Sequence, residues 1–311
     1  METDFDALVV GGASAGLSAA LVLGRARVRT LVVDAGEPSN RTAPAIGGLL
    51  GQDGTSPSQL YAAGRDQLAA LPAVELRAGV VTGIEPAAGD GADPAFRATL
   101  ADGGGVSARR VLLAGGMRYG VPDTPGLAAL WGTAAFACPY CHGWELRDRR
   151  IGILGATGAA HRVALLRSWS DDLAVLADGE LAPEDRDALR AAGVPVTEQP
   201  VVSVAPGIVR FADGGELALD ALHVLAPMAP RDDLAARLGV ATTELPNGTG
   251  IAVADRFGTT SVPGVFAAGD AAGAGNVAAA IAGGSLAATG LHRTLVAEQA
   301  SPVAAGGHEH A

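Results

Sequence analysis

Short apolar runs, each followed by a glycine-rich break and then an Ala/Leu pattern of helical length, set the rhythm of this chain. Ala7 to Val10 is apolar, Gly11-Gly12-Ala13-Ser14-Ala15-Gly16 interrupts it, and an Ala/Leu-rich stretch through about Arg25 reads as a helix. Thr30 to Val33 is a second apolar run, closing on Asp34. That order predicts a parallel βαβ unit. The rhythm returns at Ile151 to Leu154, with the turn Gly155-Ala156-Thr157-Gly158-Ala159-Ala160, a helix over His161 to Ser168, and a strand over Leu173 to Leu176 ending near Asp178. Val111 to Gly116 predicts another strand ending in glycines, where a chain could leave one domain for another. The Gly/Asp/Ala stretch from Ala87 to Pro94 reads as a hairpin loop. Val262 to Asp270 reads as a turn and a buried strand, with Asp270 opening an Ala/Gly-rich helix as its N-cap.

The fold class predicted is α/β: two Rossmann-like, three-layer ββα dinucleotide-binding domains, the second inserted in the first. The boundaries fall at 1–116 with 245–311 for the first domain and 117–244 for the second. In the first unit, a tight glycine turn lets the backbone approach a pyrophosphate at a helix N-terminus, where free N–H groups favour an anion. Asp34, 18 residues after Gly16, is placed to accept hydrogen bonds from an adenosine ribose. Ala13 replaces the middle glycine of the G-x-G-x-x-G pattern, a small intrusion. The second turn is more damaged. Thr157, β-branched, stands at the middle position, Asp178 would repel an NADP 2′-phosphate, and Arg186, the nearest arginine beyond it, is eight residues on.

Composition removes several classes of function. With 22 Lys+Arg against 33 Asp+Glu among 311 residues, the formal net charge of −11 repels nucleic acid and anionic membranes. Arg25, Arg27 and Arg29 read as a solvated face and not as a binding patch. The acidic Met1 to Asp6 lacks the basic and apolar regions of a secretion signal, which predicts a cytoplasmic protein. No apolar stretch approaches the ~18 residues of a membrane span.

Cys138 and Cys141 are the two cysteines, in Phe136-Ala137-Cys138-Pro139-Tyr140-Cys141-His142-Gly143-Trp144-Glu145. A C-x-x-C at a helix start brings the sulfurs within bonding distance, and the helix dipole lowers a thiol pKa. C-x-x-C-H also matches c-type haem attachment, which needs an exported chain. Zinc wants four ligands, and Cys138, Cys141 and His142 offer three, so no metal is expected. Cys-Pro-Tyr-Cys also suggests a glutaredoxin-like thiol domain, whose context is not two dinucleotide folds. The reading that fits the flanking folds is a flavin-coupled dithiol/disulfide centre.

With these residues in place, the chain resembles the low-molecular-weight thioredoxin reductase family along nearly its full length. Within it, the chain is most similar to the dithiol oxidases that close disulfides in natural products such as holomycin, gliotoxin and romidepsin. The resemblance rests on Gly11 to Gly16, Asp34, Cys138 to Gly143, and Gly269-Asp270. It implies FAD held by Gly11, Gly12, Ala13, Ser14, Ala15, Gly16, Asp34, Gly115, Gly269 and Asp270, with Asn40 in a loop near the isoalloxazine. It also implies that Cys141 faces the flavin C4a, that Cys138 exchanges with a substrate thiol, and that the protein is a homodimer. Thioredoxin reductases commonly carry Asp after the second cysteine, whereas His142 here can move a proton near neutrality. The degenerate second glycine turn, Thr157 and Asp178 together weaken the case for NADPH, and the resemblance to the oxidases implies a small-molecule dithiol as donor and O2 as acceptor. An NADPH-driven thioredoxin or disulfide reductase, and a flavin-disulfide redox sensor, are the alternatives.

Overall fold

The computed structural model describes residues 3–87 and 95–305. The hairpin loop expected at Ala87 to Pro94 lies, from residue 88, outside the described residues. In chain order the elements are β1 Phe5–Val10, α1 Ser14–Arg25, β2 Thr30–Asp34, α2 Pro57–Ala69, β3 Val74–Ala78, β4 Val81–Ala87, β5 Ala95–Leu100, β6 Gly105–Leu113 and β7 Met117–Tyr119. There follow α3 Leu127–Leu130, β8 Ala135–Phe136, α4 Pro139–His142, β9 Ile151–Leu154, α5 Ala159–Leu166, β10 Leu173–Leu176, α6 Pro183–Ala191, β11 Val196–Thr197, β12 Val201–Ala205, β13 Ile208–Phe211, β14 Glu216–Ala218 and β15 Ala221–Val224. The chain ends with β16 Met228–Pro230, α7 Leu234–Arg237, β17 Thr242–Leu245, β18 Gly248–Ile251, β19 Val265–Ala267, a 3₁₀ turn Asp270–Ala272, and α8 Val277–Ala305.

These elements form two compact units, one of residues 1–39, 58–118 and 228–311, the other of 40–57 and 119–227. Sequence placed the return to the first domain at residue 245, whereas 228–244 clusters with the first unit. The reason is packing: Leu234, Ala235, Leu238 and Val240 are buried in the same apolar cluster as Val10, Val111 and Ile251. The segment 40–57, which sequence left in the first domain, clusters with the second unit.

The first unit is built on a seven-stranded sheet of order β3-β2-β1-β6-β5-β4, with β19 also pairing β6. Strands β3, β2, β1, β6 and β19 run parallel, whereas β4 and β5 join antiparallel. Burial follows this division. Ala7 to Val10 are continuously buried, as expected of a parallel strand covered on both faces, whereas β5 alternates toward its end. One face is covered by α1 and α8, which meet through Ala15, Ala19, Ala20, Ala287 and Ala288. A Cβ at Gly284 would collide with the backbone of Ala15, so this glycine permits the close helix approach. Ser18 reinforces the contact by donating its hydroxyl to the Ile281 carbonyl at 2.8 Å. Arg110, 2 % exposed on β6, pairs with Glu298 of α8 and donates to Thr294 at 2.9 Å. Beside this sheet lies a four-stranded sheet of order β17-β18-β16-β7.

The second unit carries a five-stranded parallel sheet, β11-β10-β9-β15-β8, and a three-stranded antiparallel meander, β12-β13-β14. Its core sets Phe136, Ile151, Ile153 and Val175 against Val163 and Leu166 of α5.

Leu112 has no exposed surface in the first sheet. Leu112→Ala is expected to destabilise the first unit by about 2–5 kcal/mol, read as a lowered denaturant midpoint at unchanged slope.

Candidate active site

In the first unit, strand register collects the sequence-predicted nucleotide residues at one edge. Val10 is level with Val33 and Leu113, and Leu113 with Ala267. The ladder continues past the strand ends: Gly11 N–H donates to Val33 at 2.8 Å, Ala114 to Val10 at 2.8 Å, and Ala268 to Leu113 at 3.1 Å. Gly11, Asp34, Gly115 and Gly269 therefore share the carboxyl edge of the sheet, where open α/β folds bind ligands.

The turn itself is tight. Gly11 has φ +103°, and a Cβ there would run into the Ala114 carbonyl. A Cβ on Gly16 would land on the Gly11 carbonyl oxygen, so α1 packs against the turn with no side chain between. Ala13 is the N-cap of α1 without a side-chain cap bond, which leaves the first N–H groups of the helix to a ligand. Ser14 is buried and shares a 3.2 Å hydrogen bond with Tyr61. Asp34 Oδ1 accepts from Gly12 N–H at 3.3 Å and Gly36 N–H at 3.0 Å, which orients the carboxylate at the turn.

Asp270 differs from expectation. It opens a three-residue 3₁₀ turn, and the long helix begins only at Val277, where Asn276 Oδ1 accepts from the Ala279 N–H at 2.8 Å. Gly269, not Asp270, is the N-cap of that turn, and burial pushes the Asp270 carboxyl above the usual range. Gly269 brings it close, since a Cβ there would stand 3.0 Å from that of Ala15. A carboxyl desolvated without a partner, beside a helix N-terminus with free donors, fits a ligand that carries hydroxyl groups as well as phosphates.

Asp232 was not legible in the sequence. Its Oδ2 lies 2.9 Å from where a Gly115 Cβ would be, and it lines a cleft with Val10, Gly115, Gly116, Arg231 and Ala271. Desolvation raises its carboxyl pKa, against the Leu234 N–H that lowers it. Nothing in the pattern of a surface loop marks such a residue.

In the second unit, Cys138 and Cys141 are bonded to each other, with Cα atoms 5.3 Å apart. Cys138 is the N-cap of α4 and Pro139 its first residue. The helix is one turn long, so the dipole expected from the sequence does not build up. Gly143 packs where a Cβ would meet the Trp169 ring at 2.7 Å, and Gly47 where it would meet the Cys141 carbonyl oxygen at 2.6 Å. The segment 40–57 thus lies against the redox turn. Asn40, at its start, accepts from the Ala43 N–H at 3.0 Å through its carbonyl. Tyr140 and Trp144, 75 % and 66 % exposed, flank the disulfide.

His142 is half-buried, and its Nδ1 stands 3.4 Å from the Cys138 carbonyl oxygen, to which it donates in the neutral tautomer protonated there. Burial lowers its pKa, against the opposing pull of the Cys138 carbonyl, Glu145 and the Gly132 carbonyl. Its Nε2 is buried without a well-formed hydrogen bond.

The second glycine turn follows β9 at the same sheet edge as the cysteines, since Ile153, His223 and Phe136 are level across β9, β15 and β8. Its interior is filled. Where the first turn has Gly16, this one has Ala160, and Arg162, 6 % exposed, folds back to donate Nη1 to the Leu154 carbonyl at 2.9 Å and Nη2 to the Gly155 carbonyl. Burial lowers its pKa to about 10. Asp178 Oδ1 is taken by the Val201 N–H at 2.8 Å. Among the described residues, no group of three His, Cys, Asp or Glu side chains could hold a metal, and no helix is long and apolar enough to cross a membrane.

Two dinucleotide-type units, one bearing a redox-active cysteine pair, agree with comparison to known proteins. The model of the family "Pyridine nucleotide-disulphide oxidoreductase" matches residues 5–285. The chain belongs to this family. The oxidoreductase is 31 % identical over 285 residues to thioredoxin reductase tcpT of Claviceps purpurea, covering 85 % of this chain and 86 % of that one. Its structure is similar to that of HlmI, with TM-score 0.90, 39 % identity, and 97 % and 96 % of the two chains covered. It is also similar to an oxidoreductase from Agrobacterium tumefaciens, with TM-score 0.86, 36 % identity, and 94 % and 98 % covered. Membership implies a bound flavin, FAD, in the oxidoreductase.

Asp270 supplies a pH test. Its folded carboxyl keeps a proton to higher pH than the ordinary 3.8, so its ionisation opposes folding, and stability falls as pH rises from 3.8 through the folded pKa. In the flavin-free oxidoreductase, Asp270→Asn is expected to melt with wild type below that window and above it at neutral pH. Its flavin content on purification, read by absorbance, should be lower.

Proposed function

We propose that this oxidoreductase is a dithiol oxidase, closing an intramolecular disulfide in a small-molecule dithiol and passing the electrons to O2. The observation that carries the reading is the filled second glycine turn. With Arg162 inside it, Ala160 and Thr157 at glycine positions, and Asp178 engaged, this turn offers a poor cradle for NADPH, whereas the cysteine pair is intact. Electrons then enter at sulfur.

In this reading a substrate thiol loses its proton to His142, the imidazole that follows the cysteine pair and is held at Nδ1 against the Cys138 carbonyl. The thiolate attacks Cys138 Sγ, the Cys138–Cys141 bond breaks, and Cys141 leaves as thiolate. The second substrate thiol, as thiolate, attacks the sulfur of the first, the mixed disulfide breaks, and Cys138 leaves. The substrate leaves as a cyclic disulfide with its second proton given to solvent, His142 returns the first to the Cys138 sulfur, and the two electrons now rest on the pair as a Cys138 thiol and a Cys141 thiolate. Bound FAD supplies the two-electron path from that pair to O2, giving H2O2. The Gly11 to Gly16 turn and the start of α1 would hold its pyrophosphate, Asp34 its adenosine ribose and Asp270 its ribityl region, with Gly115 and Gly269 keeping the sheet edge open. Asn40 and homodimer formation enter this reading from the resemblance to dithiol oxidases. Tyr140 and Trp144, exposed beside the disulfide, offer an apolar rim to a small substrate.

The test is anaerobic stopped-flow flavin absorbance with dithiothreitol, NADPH or NADH in turn. Bleaching by the dithiol alone, with one H2O2 per dithiol after air is readmitted, is the expected result. Rapid bleaching by NADPH would make the protein a disulfide reductase, and flavin reduction without steady-state O2 consumption a redox sensor. Cys138→Ser and Cys141→Ser should each reduce dithiol turnover to background while FAD stays bound; turnover retained in both would sink the scheme.

A further inference from the structure

We infer that His223, backed by Arg162, is a positioning residue that holds the carbonyl ahead of Cys138 and tunes the thiolate of that cysteine. The inference rests on the proposed thiol-exchange role of Cys138. It joins two features that function has not absorbed: the buried arginine in the second glycine turn and a buried histidine on β15.

His223 is 4 % exposed, and its Nε2 lies 3.1 Å from the carbonyl oxygen of Ala137, the residue before Cys138. The next carbonyl, that of Cys138, faces Nδ1 of His142. Two consecutive carbonyls, that of Ala137 and that of Cys138 itself, thus each meet an imidazole nitrogen. The Phe136 ring packs against both imidazoles, with centroids 5.8 Å from His142 and 5.4 Å from His223. Burial and the charge of Arg162 push the His223 pKa down to about 4, against the Ala137 carbonyl, so the ring is neutral at neutral pH. In that state Nε2 carries the proton and donates to Ala137, and Nδ1 presents a lone pair in the interior. Nδ1 is buried without a hydrogen-bond partner, and so is Nε of Arg162, an obligate donor.

The chemical consequence lies at Cys138. A carbonyl oxygen is the negative end of a peptide dipole, and beside a thiolate it raises the thiol pKa. A donor on that oxygen withdraws the negative charge and fixes the turn when the disulfide opens. Burial, reinforced by the charge of Arg162, keeps a second proton off His223. At the position where α1 has Gly16, α5 has Ala160, and the Arg162 guanidinium lies against the carbonyls of Leu154 and Gly155. The turn that elsewhere cradles a dinucleotide here buttresses the cysteine pair.

The experiment reads Cys138 alone. The flavin-loaded protein is reduced anaerobically with dithiothreitol and desalted, and the rate of Cys138 alkylation by iodoacetamide is followed against pH by peptide mass spectrometry. His223→Phe keeps a ring and removes the donor; its Cys138 pKa is expected to rise by about one unit, lowering the alkylation rate below that pKa by about tenfold. His223→Gln places an amide N–H where Nε2 stood and should restore most of the rate. A wild-type profile in His223→Phe, or the same shift in His223→Phe and His223→Gln, would overturn the inference. Should His223→Phe not fold, His223→Asn decides: its shorter amide does not reach the place of Nε2, so a raised Cys138 pKa supports the inference and an unchanged one refutes it. Failure of the oxidase reading would appear as absent O2 consumption with these alkylation profiles unaltered, so the two failures are distinguishable.

Discussion

Parallel strands end together. Because hydrogen-bonded neighbours in each parallel sheet run the same way and in register, residues far apart in sequence arrive at one carboxyl edge, and the chemistry of each unit collects there. In the first unit that edge receives Gly11, Asp34, Gly115 and Gly269. In the second it receives the disulfide turn after β8, the glycine turn after β9 and His223 on β15. The edge is also where backbone groups run out of strand partners, so whatever the chain places there must supply hydrogen bonds or leave them to a ligand.

The two glycine turns show how one side chain redirects such an edge. Gly16 has no room for a Cβ against the Gly11 carbonyl, and its absence lets α1 close on the turn and present its N–H groups outward. Ala160 carries that methyl in the second turn, where Arg162 donates to the Leu154 and Gly155 carbonyls. The position that is an open glycine turn in one unit holds a buried arginine in the other. The difference between the two turns is the observation on which the proposed dithiol oxidase activity rests.

Buried polar groups mark the same two places. Asp270 is desolvated with no charged partner, and Arg162 and His223 each keep one nitrogen unsatisfied in the interior. Unpaired groups of this kind oppose folding and survive where a ligand or a reaction uses them. Ion pairs at the surface, such as Arg29 with Asp6 and Arg210 with Glu216, contribute little.

The sequence by itself determined the local chemistry. Apolar runs and glycine breaks located β1, α1, β2, β9, α5 and β10 close to their observed bounds, and C-x-x-C spacing identified the disulfide, because these signals are encoded within a few adjacent residues. Gly11 to Gly16 and Asp34 were legible for the same reason. Asp270 was legible as a special residue but not as the start of a 3₁₀ turn, since Gly273 and Gly275 delay the helix to Val277. The clustering of 228–244 with the first unit and of 40–57 with the second was decided by tertiary packing. So were the contact of Gly47 with Cys141, the place of Asp232 beside Gly115, and the line from Arg162 through His223 to Ala137. Each of these joins residues from separate elements, and only strand register and core packing set the distance between them.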